Sequence, residues 1–323
     1  MLGPSDRETR IVNEMSAMSE YSFEGRVAVV TGAARGIGRA YADLLAARGA
    51  SVVVNDFGGT KEGSGGDSEL ARTAAAELVA AGGIAVPDTS DISTVAGGHA
   101  VIDTAIREFG RIDIVVNNAG NVRWGGPPSV DASNIQSHLD VHVLGSFNTT
   151  RAVWPHMVGQ NYGRIVMTGS TGMFGLPDNL GYATAKAGLI GMTRSLTVAA
   201  GDLDIKINVI APNAWTRMGA RASEGQPEVA RPAPPNMEPE LVAPMVAFLA
   251  HEACTVSGEI YVAGAGRFGR IFIAANDGYV RSEAGPATIE DVAAHWASIN
   301  DERGYYVPSS LMDWAAHFMS HLT

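Results

Sequence analysis

The chain of 323 residues contains a single cysteine, Cys254, so no disulfide can form within it. This argues against a secreted, disulfide-stabilised protein, and we expect a reducing, cytoplasmic location. No stretch of the sequence reaches the roughly 18 uninterrupted apolar residues that a membrane-spanning helix needs. The N-terminal residues also lack the apolar centre of a secretory signal, and we expect residues 1–21 to form a flexible segment.

Basic residues are also few, with 23 Lys and Arg against 34 Asp and Glu and a formal net charge of −11. Nucleic acids and anionic membrane surfaces are bound by basic faces, so both are disfavoured as partners. Apolar residues make up 46% of the chain, which is enough for a large core, and glycine is abundant with 38 residues. The composition therefore favours a globular protein that acts on a small molecule.

Short apolar runs alternate with helical stretches along most of the chain. The strand-like runs lie at 26–30, 51–56, 84–88, 112–120, 164–170, 207–213 and 258–264, and the helical stretches at 40–48, 68–81, 95–109, 134–157 and 182–200. This alternation predicts right-handed βαβ crossovers and therefore an α/β fold, a doubly wound parallel seven-stranded sheet of the Rossmann type. We expect a single domain over residues 22–275.

Three segments interrupt or follow this pattern. Residues 58–66 are glycine-rich and predict a flexible loop after the second strand. Residues 217–240 are rich in Pro, Ala and Gly and occupy the place of a mobile lid over a substrate, with a simple surface excursion as the alternative. Residues 276–323 predict a helical extension that docks on this subunit or on a neighbour through one apolar face, formed by Leu311, Ala315, Phe318 and Leu322.

A glycine-rich turn, TGAARGIG at 31–38, joins the first strand to the first helix. Gly32 permits a tight turn, Gly36 lets the backbone approach a pyrophosphate without an intervening Cβ, and Gly38 lets the helix pack closely on the sheet. The free N–H groups and the positive dipole end of the helix then favour the phosphates. Together with Arg35 and Ile37, these glycines predict a dinucleotide site, because the strand before them and the helix after them are both present.

Asp56 ends the second strand, 24 residues after Gly32. A carboxylate at this position accepts hydrogen bonds from the adenosine ribose of NAD and repels the 2′-phosphate of NADP, so we expect NAD as the cofactor and NADP as the less favoured one. Arg35 is a counterweight, because a cation near the turn could meet that phosphate. An Asp that merely caps a strand end is the alternative interpretation of Asp56.

Tyr182 and Lys186 lie four residues apart on a predicted helix and so share one face. Free tyrosine has a pKa of about 10, and a nearby ammonium or the positive nicotinamide of NAD⁺ would lower that pKa. Ser170 follows a strand, 12 residues before Tyr182, and its hydroxyl can hydrogen-bond a substrate oxygen. These residues predict a hydride transfer in which Tyr182 takes the proton of a secondary alcohol and Ser170 stabilises the developing alkoxide.

Taken together, these motifs resemble the short-chain dehydrogenase/reductase family. The glycine turn, NNAG at 117–120, Ser170, Tyr182 and Lys186 occur in the family's order over about residues 22–275. The resemblance implies a Rossmann fold, a nicotinamide cofactor and a homo-oligomer, either a dimer or a tetramer. It also implies further cofactor contacts: Asp88 and Thr89 at the adenine, Asn117 near the ribose with Ala119 and Gly120 of the same motif, Pro212 and Thr216 at the nicotinamide carboxamide, and Tyr182 and Lys186 themselves.

A narrower resemblance is carried by the segments VVVNDFGG, VHVLGSF, APNAWTRM and VAGAGRFGR. These segments are similar to the (3R)-hydroxyacyl-CoA dehydrogenase units of peroxisomal multifunctional enzymes and to related bacterial hydroxysteroid dehydrogenase-like proteins. The resemblance implies oxidation of a 3-hydroxyacyl-CoA thioester or of a steroid-like alcohol.

Three positions depart from the family pattern. His142 stands where the family usually has a catalytic Asn, so it is either a relay residue or a core histidine. The spacing from Ser170 to Tyr182 is one residue shorter than usual, which shortens the loop after Ser170. Asn213 follows Pro212 where glycine is usual, and Asn tolerates the positive φ that glycine often supplies.

Two other functions stay open at the level of sequence. One is the reduction of small ketones with NADPH, against which Asp56 argues. The other is a non-catalytic nucleotide-binding protein, which would be expected to have lost Ser170, Tyr182 or Lys186. No metal site is expected, because the histidines lack metal-ligand spacing apart from His138 and His142, and that pair has no nearby Glu-x-x-His pattern.

Overall fold

The sheet that the sequence predicts is present and is one strand larger. The computed structural model describes residues 21–219, 234–282 and 285–322. Within these residues the strands follow the order β3–β2–β1–β4–β5–β6–β7–β8, and every neighbouring pair is parallel except β7 with β8. The strands are β1 (Val27–Thr31), β2 (Ser51–Asn55), β3 (Ile84–Asp88), β4 (Ile114–Asn117), β5 (Gly163–Thr168), β6 (Ile205–Pro212), β7 (Ile260–Gly264) and β8 (Arg267–Ile271). The predicted doubly wound Rossmann arrangement is confirmed.

The eighth strand, β8, was not predicted. It returns antiparallel to β7 through a tight turn in which Ala265 and Gly266 have φ of 51° and 72°. Positive φ at both central residues is typical of a two-residue hairpin turn whose twist matches the strands. The sequence of β8, RFGRI, mixes arginines with a central glycine and lacks an apolar run. The sequence pattern of buried strands therefore does not predict an edge strand of this kind.

Helices cover both faces of the sheet. They are α1 (Gly36–Ala47), α2 (Ser68–Ala80), α3 (Val95–Phe109), α4 (Ala132–His138), α5 (Ser146–Gln160), α6 (Leu180–Ala200) and α7 (Ala243–Ala250), followed by the tail helices α8 (Ile289–Ala294), α9 (Trp296–Ile299) and α10 (Leu311–Phe318). The single helix predicted over 134–157 is interrupted by a π-helical segment, Leu139–Gly145, that joins α4 to α5. This wider turn contains His142. π-Helical turns of this kind are frequent at functional sites in proteins.

The core has two halves, one on each side of the sheet. Alternate residues of β1 point to opposite sides, so Ala28 and Val30 pack with α1 and α7, whereas Val27 and Val29 pack with α3, α5 and α6. Every residue of β1 and of β4 is buried. Strands buried on both faces explain the nearly continuous apolar runs in the sequence.

The tail contacts the domain through Tyr306 and Pro308. An isolated bridge pairs Ala275 with Tyr306, and the Arg194 guanidinium donates to the carbonyl oxygen of Pro308. Helices α8, α9 and α10 contain no buried residue, and Leu311 is 74% exposed. The predicted apolar face therefore points to solvent in the single chain. The proposed division at residues 22–275 and 276–323 stays a prediction, and residues 1–20 and 220–233, which hold most of the N-terminal segment and the centre of the predicted lid, lie outside the described residues.

Candidate active site

The glycine turn has the backbone geometry that a phosphate cradle requires. Gly32 and Gly36 have φ of +64° and +58°, where residues with a Cβ are strained. A Cβ on Gly32 would come within 2.9 Å of the Ala119 Cα, and one on Gly38 would come within 2.3 Å of the Gly32 carbonyl oxygen. The chain therefore needs glycine at both positions to close the turn and to start α1. Gly36 begins α1 and lines the cleft, with its amide at the helix N-terminus.

Asn118 holds this turn in place, a role that the sequence did not reveal. Its side-chain amide donates to the carbonyl oxygens of Thr31 (2.9 Å) and Gly32 (3.2 Å). The Thr31 hydroxyl in turn accepts from the backbone N–H groups of Asn118 and Ala119, at 3.0 Å each. These bonds tie the loop after β4 to the turn after β1. They place Ala119 and Gly120 in the wall of the same cleft.

The cleft lies at the carboxyl ends of the central strands and has a volume of about 390 Å³. Open parallel sheets bind ligands at this edge. Of the predicted cofactor residues, those that line it are Gly32, Arg35, Gly36, Ile37, Gly38, Asp56, Ala119, Gly120 and Thr216. The glycine positions leave room for a pyrophosphate, and a dinucleotide fits the set of groups that the cleft presents.

Asp56 stands at the end of the cleft, where its carboxylate is oriented by backbone amides. It accepts hydrogen bonds from Ala34 N (3.1 Å) and Gly58 N (2.8 Å), and it stays partly exposed. Two guanidinium groups lie close by, because Arg35 and Arg217 both donate to the Gly59 carbonyl oxygen, at 3.1 and 3.4 Å. Burial and the positive charge of Arg35 lower the pKa of Arg217. This end of the cleft therefore combines one carboxylate with two cations.

Asp88 and Thr89 do not line the cleft. The Asp88 carboxylate is buried and accepts from Asn55 Nδ2 and the Thr104 hydroxyl, both at 2.8 Å, while Thr89 is exposed. The chain enters the cleft a little later, where its lining residues are Ser90, Asp91, Ile92 and Ser93. The sequence did not reveal this segment because one carboxylate, Asp88, ends β3 and another, Asp91, lies three residues later, and local sequence does not tell which one turns outward.

Asn117 and Pro212 also do not line the cleft. The Asn117 amide is buried, with Oδ1 accepting from the Thr149 hydroxyl at 2.6 Å, so it ties β4 to α5. Pro212 is the last residue of β6, and the next residue, Asn213, donates its N–H to the Ala263 carbonyl oxygen at 2.8 Å. Asn213 is not among the described residues with positive φ, so the expectation that it replaces glycine in that conformation is wrong.

Ser170, Tyr182 and Lys186 come together at the carboxyl end of β5. Ser170 begins a short 3₁₀ turn, and its Oγ accepts from Gly172 N at 3.0 Å. Tyr182 and Lys186 share one face of α6, with Lys186 Nζ lying 5.6 Å from the centre of the Tyr182 ring. Lys186 is 3% exposed and donates to the Thr168 carbonyl oxygen at 2.5 Å. The predicted constellation is therefore present in space.

Burial controls the protonation of this group. It lowers the pKa of Lys186 from its ordinary range to about 7. It raises the pKa of Tyr182, and a hydrogen bond with Ser170 acts in the opposite direction. The pKa of Tyr182 is therefore raised, whereas the sequence predicted that the Lys186 ammonium would lower it.

His142 lies behind Tyr182 and is 1% exposed. Its Nε2 is 2.9 Å from the Asn121 carbonyl oxygen, so Nε2 carries the proton and Nδ1 is an acceptor. Nδ1 is buried without a hydrogen-bond partner among the described residues. Burial and the Lys186 charge hold the pKa of His142 well below its ordinary value, so the ring is neutral. His138 is stacked nearly parallel to it at 6.0 Å.

The glycine-rich loop, residues 58–66, crosses the cleft as a strap. Gly59, Thr60 and Gly63 line the cleft, and the Lys61 carbonyl oxygen accepts from Val122 N at 2.8 Å.

The described residues contain no group of three or more His, Cys, Asp or Glu that could hold a metal ion. None of the helices in the described parts of the chain combines the length and hydropathy of a membrane span.

Comparisons with known proteins agree with this geometry. A family profile described as short chain dehydrogenase matches residues 26–226. The chain is 41% identical over 282 residues to a short-chain type dehydrogenase/reductase of Mycobacterium tuberculosis, an alignment that covers 87% of this chain and 96% of that protein. It is 35% identical over 271 residues to a hydroxyacyl-CoA dehydrogenase of the same organism, covering 81% and 82% of the two chains.

Peroxisomal multifunctional enzyme type 2 of Drosophila melanogaster is 40% identical over 290 residues, which is 88% of this chain and 47% of that enzyme. The full-length structure of the fly enzyme superimposes with a TM-score of 0.76 and 30% identity, covering 93% of this chain and 50% of the other. This chain therefore spans about half of that relative, and the activities of the whole multifunctional enzyme do not transfer to it. The chain belongs to the short-chain dehydrogenase/reductase family, whose members bind NAD(P), and it is an oxidoreductase that acts on CH–OH groups.

Proposed function

We propose that this chain is an NAD-dependent dehydrogenase that oxidises the secondary alcohol of a 3-hydroxyacyl-CoA thioester or of a hydroxysteroid-like molecule. The observation that carries the proposal is the convergence of Ser170, Tyr182 and Lys186 beside the glycine-lined cleft. A protein that only sensed nucleotides would not need a buried lysine and a hydrogen-bonded serine around one phenol.

The residues divide the work of the reaction. Ser170 donates its hydroxyl proton to the substrate oxygen, with its own Oγ oriented by Gly172 N–H, and stabilises the alkoxide as it forms. Tyr182 acts as the phenolate, which the positive nicotinamide of bound NAD⁺ would favour, and its oxygen takes the substrate proton while the C–H bond breaks. The bound nicotinamide supplies the hydride acceptor. Lys186, anchored on the Thr168 carbonyl, exchanges protons near neutral pH because burial brings its pKa to about 7.

NAD is the cofactor that Asp56 supports. Its carboxylate is held toward the cleft by two backbone amides, where it would accept from the ribose hydroxyls and repel a 2′-phosphate. The glycine turn would hold the pyrophosphate, and Thr216, which lines the same cleft, would hold the nicotinamide carboxamide. Arg35 and Arg217, which flank Asp56, favour the second candidate function, a reduction of ketones with NADPH.

Asp91 rather than Asp88 is proposed at the adenine end. Asp91 lines the cleft, and its Oδ1 accepts from Ser93 N and the Ser93 hydroxyl at 3.0 and 2.7 Å. Among the described residues the second carboxylate oxygen has no hydrogen-bond partner, and it would accept from the adenine amino group. Asp88 instead fixes the end of β3 against α3.

The substrate class rests on the relatives and on an apolar rim. One relative is named a hydroxyacyl-CoA dehydrogenase, and the loop after Ser170 exposes Phe174 (73%) and Leu176 (48%). Apolar side chains at the mouth of a catalytic site suit an acyl chain or a steroid nucleus better than a small polar ketone.

The exposed apolar residues of the tail support a homo-oligomer, whose partner would cover them.

A substrate panel tests the proposal. Purified protein is assayed with 3-hydroxyacyl-CoA thioesters of both configurations and several chain lengths, with hydroxysteroids and with small alcohols, each with NAD⁺ and with NADP⁺. We expect turnover of a CoA thioester or steroid with NAD⁺. Preference for small ketones with NADPH would favour the second candidate, and NADH binding without turnover of any alcohol would favour a non-catalytic protein.

A further inference from the structure

We propose that Asn121 is a positioning residue that joins the strap over the cofactor cleft to the catalytic end of that cleft. The proposal rests on the proposed NAD-dependent function. Asn121 follows the NNAG motif, lines the cleft and is 2% exposed. It is the point at which the strap, α4 and His142 meet.

The strap passes over the phosphate-binding turn. Strands β2 and β4 lie on opposite sides of β1, and the strap leaves from β2 but bonds to the loop that follows β4. Lys61 O accepts from Val122 N at 2.8 Å, and Glu62 O accepts from Asn121 Nδ2 at 3.4 Å. The chain therefore crosses the carboxyl end of β1, where the glycine turn begins. A dinucleotide bound on that turn would lie beneath the strap.

Asn121 fits closely against the strap. Gly63 has φ of +87°, and a Cβ there would come within 2.8 Å of Asn121 Nδ2, so the amide occupies the space that a side chain would need. The same Nδ2 donates to the Ser137 carbonyl oxygen of α4 at 3.2 Å. The amide therefore fixes the strap and α4 relative to each other.

The backbone of Asn121 reaches the catalytic side. Its carbonyl oxygen accepts from His142 Nε2 at 2.9 Å, and the His142 ring packs edge-on against Tyr182. Among the described residues, Asn121 Oδ1 and His142 Nδ1 are buried without hydrogen-bond partners. No parallel bonds through these atoms keep the two residues in place. A shift of Asn121 would therefore loosen the strap and alter the bond that selects the His142 tautomer.

Three variants separate these contributions. Asn121→Ala removes the side-chain amide and keeps the backbone carbonyl. Gly63→Ala disturbs the strap at Asn121 without changing the residue that bonds His142. Gly65→Ala is the matched control, because Gly65 also has positive φ (+75°) in the strap but no atom of the described residues lies within 4 Å of its added Cβ. NADH affinity is measured by fluorescence titration, and the His142 tautomer by ¹⁵N NMR of the imidazole, with His142→Asn used for assignment.

We expect the NADH Kd to rise about fivefold in Asn121→Ala and in Gly63→Ala relative to Gly65→Ala, which is the effect of losing one ordinary hydrogen bond. The Nε2–H tautomer of His142 should dominate in the wild type and in Gly63→Ala, and should become mixed in Asn121→Ala. A merely structural residue would lower stability without moving the tautomer.

The proposal is overturned if Gly63→Ala binds NADH as Gly65→Ala does, or if His142 in the wild type carries its proton on Nδ1. Both outcomes are readable even if Asn121→Ala does not fold. An unchanged tautomer in folded Asn121→Ala also overturns it. Neither readout needs turnover, so a chain that binds NADH without oxidising any alcohol would refute the proposed function and still decide the role of Asn121.

Discussion

The imidazole of His142 packs edge-on against the ring of Tyr182, with centroids 5.3 Å apart and planes at 89°. The family usually has an asparagine at the His142 position, so the ring replaces an amide beside the catalytic phenol. Because His142 is buried and neutral, its contribution to Tyr182 is one of shape rather than of charge. It acts as a wall behind the phenol.

His142→Phe should keep that wall and remove the hydrogen bond to the Asn121 carbonyl. A buried carbonyl left without its donor costs about 1–3 kcal/mol, so we expect the free energy of unfolding to fall by that amount in urea titrations. His99→Phe, at an exposed position of α3, is the control and should change little. The neutral ring would be contradicted if the pH–rate profile of the wild type fell on the acid side at about pH 6.5 and the profile of His142→Phe did not.

Lys186→Met should change how stability depends on pH. Burial lowers the folded-state pKa of Lys186 from 10.5 to about 7, so between these values the unfolded chain binds one proton more than the folded chain. The destabilising effect of Lys186 is therefore complete below about pH 7 and is relieved as the pH rises toward 10.5.

Urea unfolding at several pH values across this window measures the effect. The wild type should gain stability relative to Lys186→Met as the pH rises, since methionine has no proton to release. Parallel curves for the two proteins would show that Lys186 titrates at its ordinary pKa. Lys206→Met, at a partly exposed lysine on β6, serves as the control.

Asp56→Asn should relax the choice between NAD and NADP. The substitution removes the charge that repels a 2′-phosphate and leaves Arg35 and Arg217 beside it. We expect the ratio of kcat/KM for NADP⁺ to that for NAD⁺ to rise by about tenfold or more, corresponding to about 1.4 kcal/mol. The exposed Asp103→Asn is the control. An unchanged ratio would show that Asp56 does not face the ribose.

Much of the fold was predictable because its signals are local. The apolar runs of β1 and β2, the glycines between strand and helix, and the four-residue spacing of Tyr182 and Lys186 each follow from backbone periodicity. β8 was not predictable in the same way, since a charged edge strand carries no buried run.

The cleft shows where local reasoning ends. Asp88 ends β3 and Asp91 lies three residues later, and it is Asn55 and Thr104, brought from other elements, that hold Asp88 inward. Arg217 likewise reaches Gly59 across a sequence distance that no local pattern spans. The cytoplasmic location, the choice of NAD and the oligomeric state stay predictions.

The central claim is that Tyr182 transfers the substrate proton, and Tyr182→Phe tests it most directly. The substitution removes one oxygen atom and leaves the ring against His142 and the Lys186 side chain in place. The exposed Tyr305→Phe is the matched control. With the best substrate of the panel, we expect kcat to fall by about 10²–10⁴-fold while the NADH Kd changes by less than about twofold. A Tyr182→Phe variant that binds NADH normally and retains turnover within about tenfold of the wild type would contradict the account.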